Sequence, residues 1–227
     1  MLDVIGIDAC GKQGWVGVRL TQGVYGGSMV DVHLDALLAR AKDCAAVAID
    51  MPLGLLESGW RAADVHAKAL LGPRRSSVFP IPPRPVWDET DYTSAGDTCL
   101  SITGNRISQQ SWALAPKLRE ARACWAEDFE RIHEVHPEVS FQAMADGRTL
   151  THTKKTWRGQ TLRRSLLSAV GIVLPDELGE ADSVPADDVL DAAAAAWSAH
   201  RIATAVAASL PPVAELDREG RPVAIRY

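Results

Sequence analysis

Leu2-Asp3-Val4-Ile5-Gly6-Ile7-Asp8 is the stretch on which the fold turns. In an extended chain Leu2, Val4 and Gly6 share one face, while Ile5 and Ile7 share the other. Apolar character on both faces marks a central strand covered by helices on each side. Two more β-favouring runs, residues 15–20 and 24–30, follow the turns Gly11-Lys12-Gln13-Gly14 and Thr21-Gln22-Gly23. Leu34, Leu37, Leu38 and Ala41 then recur at helical spacing, and residues 45–49 read as a buried strand stopped by Pro52. Three antiparallel strands, a crossover helix and a fourth strand are therefore expected.

Beyond this point the chain changes character. Its 227 residues exceed one small domain and fall short of two, which predicts a single domain over 1–227 with an insertion at about 51–130. Within the insertion, residues 60–71 are expected to form a helix ended by Gly72-Pro73. Residues 74–85 carry Pro80, Pro82, Pro83 and Pro85 and can be neither helix nor central strand. Residues 112–129 resemble one long amphipathic helix, with Pro116 in its first turn or kinking it. A strand at 132–135 closed by Pro137 comes next, then helices at 160–170 and 187–209. Ser183 or Asp187 is the N-cap candidate for the last helix, and Pro211-Pro212 lies beyond its end.

Composition narrows the class. Hydrophobic residues make up 47% of the chain and charged residues 23%, which fits a packed core and argues against disorder. A net charge of −5 excludes a uniformly basic nucleic-acid coat protein but not a local basic patch. Residues 148–164 hold six basic residues and no acid, while residues 176–191 hold seven acids and no Lys or Arg. That pairing suits phosphate binding through cationic side chains and metal ions. Cys10, Cys44, Cys99 and Cys124 show no C-x-x-C spacing, so reduced thiols in a cytoplasmic protein are expected. The N-terminus lacks the pattern of a cleaved signal. A membrane span is not expected either, because the most apolar helical run, residues 189–208, contains Asp191, His200 and Arg201.

The carboxylates carry the chemistry. Asp8 ends the first strand and Asp50 the fourth. If the two strands are parallel neighbours, these side chains lie on the order of 5 Å apart. Carboxylates so close repel, and a divalent cation between them resolves the conflict. Each could instead cap the turn that follows it. Asp188 and Asp191 share a face near the start of the last helix. Asp187 and Asp188 can serve its dipole, but capping does not explain Asp191 between Leu190 and Ala192. In His133-Glu134-Val135-His136-Pro137-Glu138 one residue separates Glu134 from the second His, so the helical zinc motif is not met. Glu134 could join the carboxylates or form a surface pair, and Glu138 stands as a less certain alternative.

Seven segments together resemble a known family. They are Gly6-Ile7-Asp8-Ala9-Cys10 followed by Gly14-Trp15-Val16, Ala48-Ile49-Asp50-Met51-Pro52, Arg75-Ser76-Ser77-Val78-Phe79-Pro80, Glu134-Val135-His136-Pro137-Glu138, Lys154-Lys155-Thr156 and Asp187-Asp188-Val189-Leu190-Asp191-Ala192. The chain resembles the domain of unknown function 429 family, predicted to be a nuclease of RNase H-like fold, from about residue 2 to the C-terminus. The resemblance implies an α/β protein with a β-β-β-α-β-α-β-α core: a mixed five-stranded sheet, its first three strands antiparallel, flanked by helices and carrying the helical, proline-rich insertion. Asp188-x-x-Asp191-Ala is also similar to the final helix of Holliday-junction resolvases. Those enzymes usually have Glu on the fourth strand, where this chain has Asp50.

A metal-dependent nuclease is therefore the leading expectation, with Mg²⁺ or Mn²⁺, two ions in all, hydrolysing phosphodiesters of nucleic acid. Asp8, Asp50, Glu134 and Asp188 are the expected metal ligands, with Asp8 bridging and Asp191 beside them. Arg74, Arg75, Ser76, Ser77, Lys154 and Lys155 are the expected contacts to substrate phosphates. Arg163 and Arg164 can equally be a solvated helix face. Trp87, Trp112 and Trp157 could stack on bases, although core packing suits at least two of them better. An ATP-dependent phosphotransferase of the related actin-like fold and a non-catalytic binding protein are the alternatives; a homodimer is left open.

Overall fold

The computed structural model describes residues 1–227. Its elements run β1 (Asp3–Ala9), β2 (Trp15–Thr21), β3 (Val24–Asp31), α1 (Leu34–Arg40) and β4 (Ala46–Ile49). Then come α2 (Ala62–Leu71), α3 (Arg84–Asp88), α4 (Tyr92–Thr103), α5 (Gln109–Trp112) and α6 (Ala115–Glu127). The chain closes with β5 (Ile132–Glu134), α7 (Pro137–Met144), α8 (Trp157–Ala169), α9 (Ala186–Ala203), β6 (Ser209–Leu216) and β7 (Pro222–Arg226).

The main sheet has five strands in the order β3-β2-β1-β4-β5. β1 pairs antiparallel with β2, as β2 does with β3, whereas β1–β4 and β4–β5 are parallel. This is the expected mixed α/β architecture, with β1 near the centre.

Both faces are covered, as the two-sided apolar pattern of β1 requires. Ile5, Ile7, Val47 and Ile49 point toward α1 and the helices of residues 50–131, where Leu37, Trp87 and Leu118 meet them. Val4, Val18, Ala46 and Ala48 point toward α9, with Phe141 of α7 and Leu167 of α8 behind it. Gly6 lies on that second face and lets α9 come down onto β1. A Cβ there would stand 1.9 Å from the Ala196 nitrogen and 2.3 Å from the Ala192 oxygen. The alanines of α9 complete the close fit, since Ala192, Ala193, Ala195 and Ala196 are fully buried.

Several boundaries differ from the sequence expectation, each for a local reason. The helix expected over residues 112–129 is the shorter α6, with Pro116 in its first turn as expected, and residue 112 ends the separate short helix α5. The last helix ends at Ala203; Ala205 takes a left-handed φ of 59°, and the chain turns into β6. Neither Ser183 nor Asp187 caps α9, whose N-cap is Pro185 without a side-chain bond. Pro137 opens α7 as well as closing β5, since the first helical position needs no N–H. The β6–β7 hairpin was not foreseen. It packs Leu210 and Ile225 against Ala63 and Leu71 of α2, and a bridge from Arg226 to Val135 attaches it beside β5. No helix is long and apolar enough to cross a membrane.

Gly6→Ala should cost about 3 kcal/mol, the upper range for overpacking, because the obstruction is helix backbone that cannot rotate away. Urea unfolding would register it, and an unchanged midpoint would mean that α9 is free to shift outward.

Candidate metal centre

Strand alternation aims the first two carboxylates. Asp8 continues the α9-facing side of β1 after Val4 and Gly6, and Asp50 extends that side of β4 after Ala46 and Ala48. Parallel pairing persists one step past β4, with the Asp50 N–H donating to the Ile7 carbonyl at 2.9 Å. The two acids thus leave adjacent strand ends in the same direction. Asp191, in the second turn of α9, meets them from above. One carboxylate oxygen from each of Asp8, Asp50 and Asp191 lies within 4.8 Å of the others, with Asp8 and Asp191 buried and Asp50 half-buried.

The three acids border a cavity of about 420 Å³ that Arg74, Ser77, Phe79, His136 and Lys154 also line. A larger cleft of about 790 Å³ between α8 and the start of α9 contains none of the three. Size does not decide here: the smaller cavity holds the converging charges.

Lys154 reaches the acids because its loop lies hard against α8. Thr156 caps that helix by accepting the Gly159 N–H at 3.1 Å and donates to the Thr153 carbonyl at 2.9 Å. Gly159 makes room, since a Cβ there would stand 1.9 Å from the Thr153 oxygen. The Lys154 ammonium donates to Asp191 Oδ2. Asp191 Oδ1 is buried and has no hydrogen-bond partner.

Charge in this corner is under tension. Burial, then the neighbouring Asp50 and Asp191, push the Asp8 carboxyl well above the usual range. Burial raises Asp50 as well, against the opposing pull of His136 and Lys154. Asp191 is pushed up to about 7 by burial even though Lys154 favours its charged form. Burial works against the Lys154 charge, yet Asp191, Asp8 and Asp50 outweigh it and hold the side chain as an ammonium. Three hard oxygen donors, one of them an orphaned buried atom, form a donor set that could hold a divalent ion.

Not every expected residue joins the cluster. Glu134 does not: the register pairs it with Ile49, so it points to the opposite face from Asp50. There its Oε2 accepts the Leu53 N–H at 2.8 Å and its Oε1 accepts from buried Arg61, which leaves neither oxygen for a metal. Asp188 is half-buried and lies outside the triad, while Asp191, expected beside the ligands, is the third member. The charge of Asp188 still raises Asp8, although Asp188 does not line the cavity.

Of the expected phosphate contacts, Arg74, Ser77 and Lys154 line the cavity, whereas Arg75, Ser76 and Lys155 are exposed and do not. Lys154 turns to Asp191 instead of outward. Arg163 is no solvated residue: it is fully buried, lies over the Phe141 ring and donates to Glu138. Trp87 is core and stacks on Trp112 with ring centroids 6.2 Å apart, while Trp157 is 83% exposed. His136 belongs to no zinc motif, and the carboxylate pattern gives it no role. It lines the cavity, and its charge lowers Asp50. Strand alternation could not have located it, because β5 ends at Glu134.

A family model described as protein of unknown function (DUF429) matches residues 6–216, and the chain belongs to that family. No curated protein and no solved structure matches.

Glu134→Gln should destabilise the fold by about 3 kcal/mol, because buried Arg61 loses one of its two charged partners and keeps only Asp64, at 3.2 Å. Mn²⁺ affinity measured by calorimetry should stay unchanged; a collapse of affinity with stability intact would make Glu134 a ligand after all. The triad also sets a pH dependence. Its carboxyls have folded-state pKa values above their unfolded ones, so metal-free stability falls as pH rises from about 4, for Asp191 until about 7. Asp8→Asn, which removes one of the crowded charges, should unfold at higher urea than wild type at pH 8, with the difference fading toward pH 4. Equal midpoints at both pH values would refute the charge crowding.

Proposed function

We propose that this DUF429 member is a divalent-metal-dependent phosphodiesterase acting on nucleic acid. The convergence of Asp8, Asp50 and Asp191, together with the unpartnered Asp191 Oδ1, carries the reading. Proteins seldom tolerate three crowded buried acids without a compensating cation, and oxygen-only donors favour Mg²⁺ or Mn²⁺. The basic lining of the cavity and the RNase H-like strand order point to phosphate as the substrate's charged group. Asp8, Asp50 and Asp191 would hold the ion, in place of the set that included Glu134 and Asp188.

When bound, the ion supplies Lewis-acid stabilisation of phosphoryl charge and activates water. The chain's residues do the rest. Arg74, in the cavity wall, faces the charge of an incoming phosphate and is held near Glu138 at 3.8 Å. Ser77, whose hydroxyl donates to the Arg74 carbonyl at 2.9 Å, fixes the turn that presents that guanidinium. His136 is oriented by its Nε2 contact to the Ser77 carbonyl at 3.2 Å, which leaves Nδ1 as the free ring nitrogen. Phe79 gives the cavity one apolar side, suited to a sugar or base edge.

Cleavage of labelled single- and double-stranded DNA and RNA with Mg²⁺ or Mn²⁺ tests the proposal. Asp50→Asn and Asp191→Asn should each lower the metal-dependent rate by at least ~10²-fold while circular dichroism is retained. Activity undiminished in both folded variants, or independent of added metal, would overturn it.

A further inference from the structure

One oxygen of the acid triad is already engaged by a cation. Asp191 uses its two oxygens differently: Oδ2 accepts from the Lys154 ammonium, while Oδ1 is buried and unpartnered. In a two-ion phosphodiesterase a shared carboxylate offers one oxygen to each metal, and the metals stand about 4 Å apart. Here one such oxygen holds an amine. We infer that Lys154 occupies the position of a second metal ion, so that the centre takes one divalent cation and one fixed ammonium. The inference rests on the metal reading above and specifies its stoichiometry and its phosphate-binding group.

Charge balance agrees. Three carboxylates carry three negative charges; one divalent ion and one ammonium bring three positive ones. A second divalent ion here would have to displace the Lys154 ammonium from Asp191 Oδ2, while Glu134 and one oxygen of Glu138 are held by Arg61 and Arg163.

The chain also fixes this ammonium with more care than a surface contact needs. Lys154 is half-buried, and the Thr153 backbone before it is clamped by Thr156 and by the close approach at Gly159. A lysine held this way differs from a metal in one useful respect. It cannot be lost to chelation, and its remaining N–H donors can bind a phosphoryl or leaving-group oxygen. Lys154 is thus a contact to the reacting phosphate, beside Arg74 in the same cavity wall.

Calorimetric titration of the full-length protein with Mn²⁺, using wild type, Lys154→Arg and Lys154→Met, tests this. Thermal unfolding of each variant confirms that it is folded. Wild type and the Arg variant should bind one ion per chain, and the Met variant two, since removing the ammonium frees Asp191 Oδ2. Two ions in wild type overturn the inference and leave the metal reading intact. One ion in the folded Met variant, at any affinity, also overturns it, because the lysine would then compete for the metal position and not stand in for a second. Binding to none of the three overturns the metal reading itself, and this inference with it. Should the Met variant fail to fold, Lys154→Gln serves, with the same two-ion expectation.

Discussion

Everything that matters in this molecule depends on how closely one helix lies on one strand. α9 contacts β1 backbone to side-chainless residue at Gly6, and the alanines on its lower face keep it there. The contact is apolar and close-packed, so it has little tolerance for displacement. Asp191 precedes Ala192 directly in the chain, and the Ala192 oxygen is one of the atoms nearest Gly6. The depth of α9 on β1 therefore sets the separation between Asp191 and Asp8. A bulkier residue at Gly6 would change the core and the ligand geometry together.

That packing forces an electrostatic problem on the fold. Two unit charges about 4 Å apart repel by roughly 4 kcal/mol at an effective dielectric near 20, and three acids share this corner. Lys154 relieves part of the repulsion, and burial first, with the repulsion that remains, raises the carboxyls. Stability held back in this way is typical of sites kept ready for a ligand. The unpartnered Asp191 oxygen shows where the relief would be bound.

Much of this was legible in the sequence, and the failures have physical causes. The two-sided apolar pattern of residues 2–8 gave β1 its central place, and the acids that follow Ile7 and Ile49 are two of the three in the triad. Alternation alone misled at Glu134. Its face depends on the pairing register with β4, which no local pattern encodes, and a one-residue offset reverses every side chain. Choosing between Asp188 and Asp191 likewise required the rotation of α9, set by the contact at Gly6. Arg163 looked like part of a solvated basic run because its partner Glu138 lies far away in the chain. The β6–β7 hairpin went unread since Pro211 and Pro212 suggested a loop, and its apolar partners come from α2.

Buried acids in this chain divide by the cation that meets them, and the division tracks their role. Glu134 is met by Arg61, Glu138 by Arg163 and Asp217 by Arg221, each through a planar guanidinium that cannot leave its site. An acid so paired is satisfied and has nothing further to bind. Asp8 and Asp50 have no arginine partner, and Asp191 has a lysine on one oxygen only. A lysine is a point charge that satisfies one direction and leaves the rest of the carboxylate open. The chain uses arginine where an acid holds elements together and withholds it where three acids converge. On that ground β5 carries structural charge, while the ends of β1 and β4 and the first turns of α9 carry the acids that could hold a metal ion.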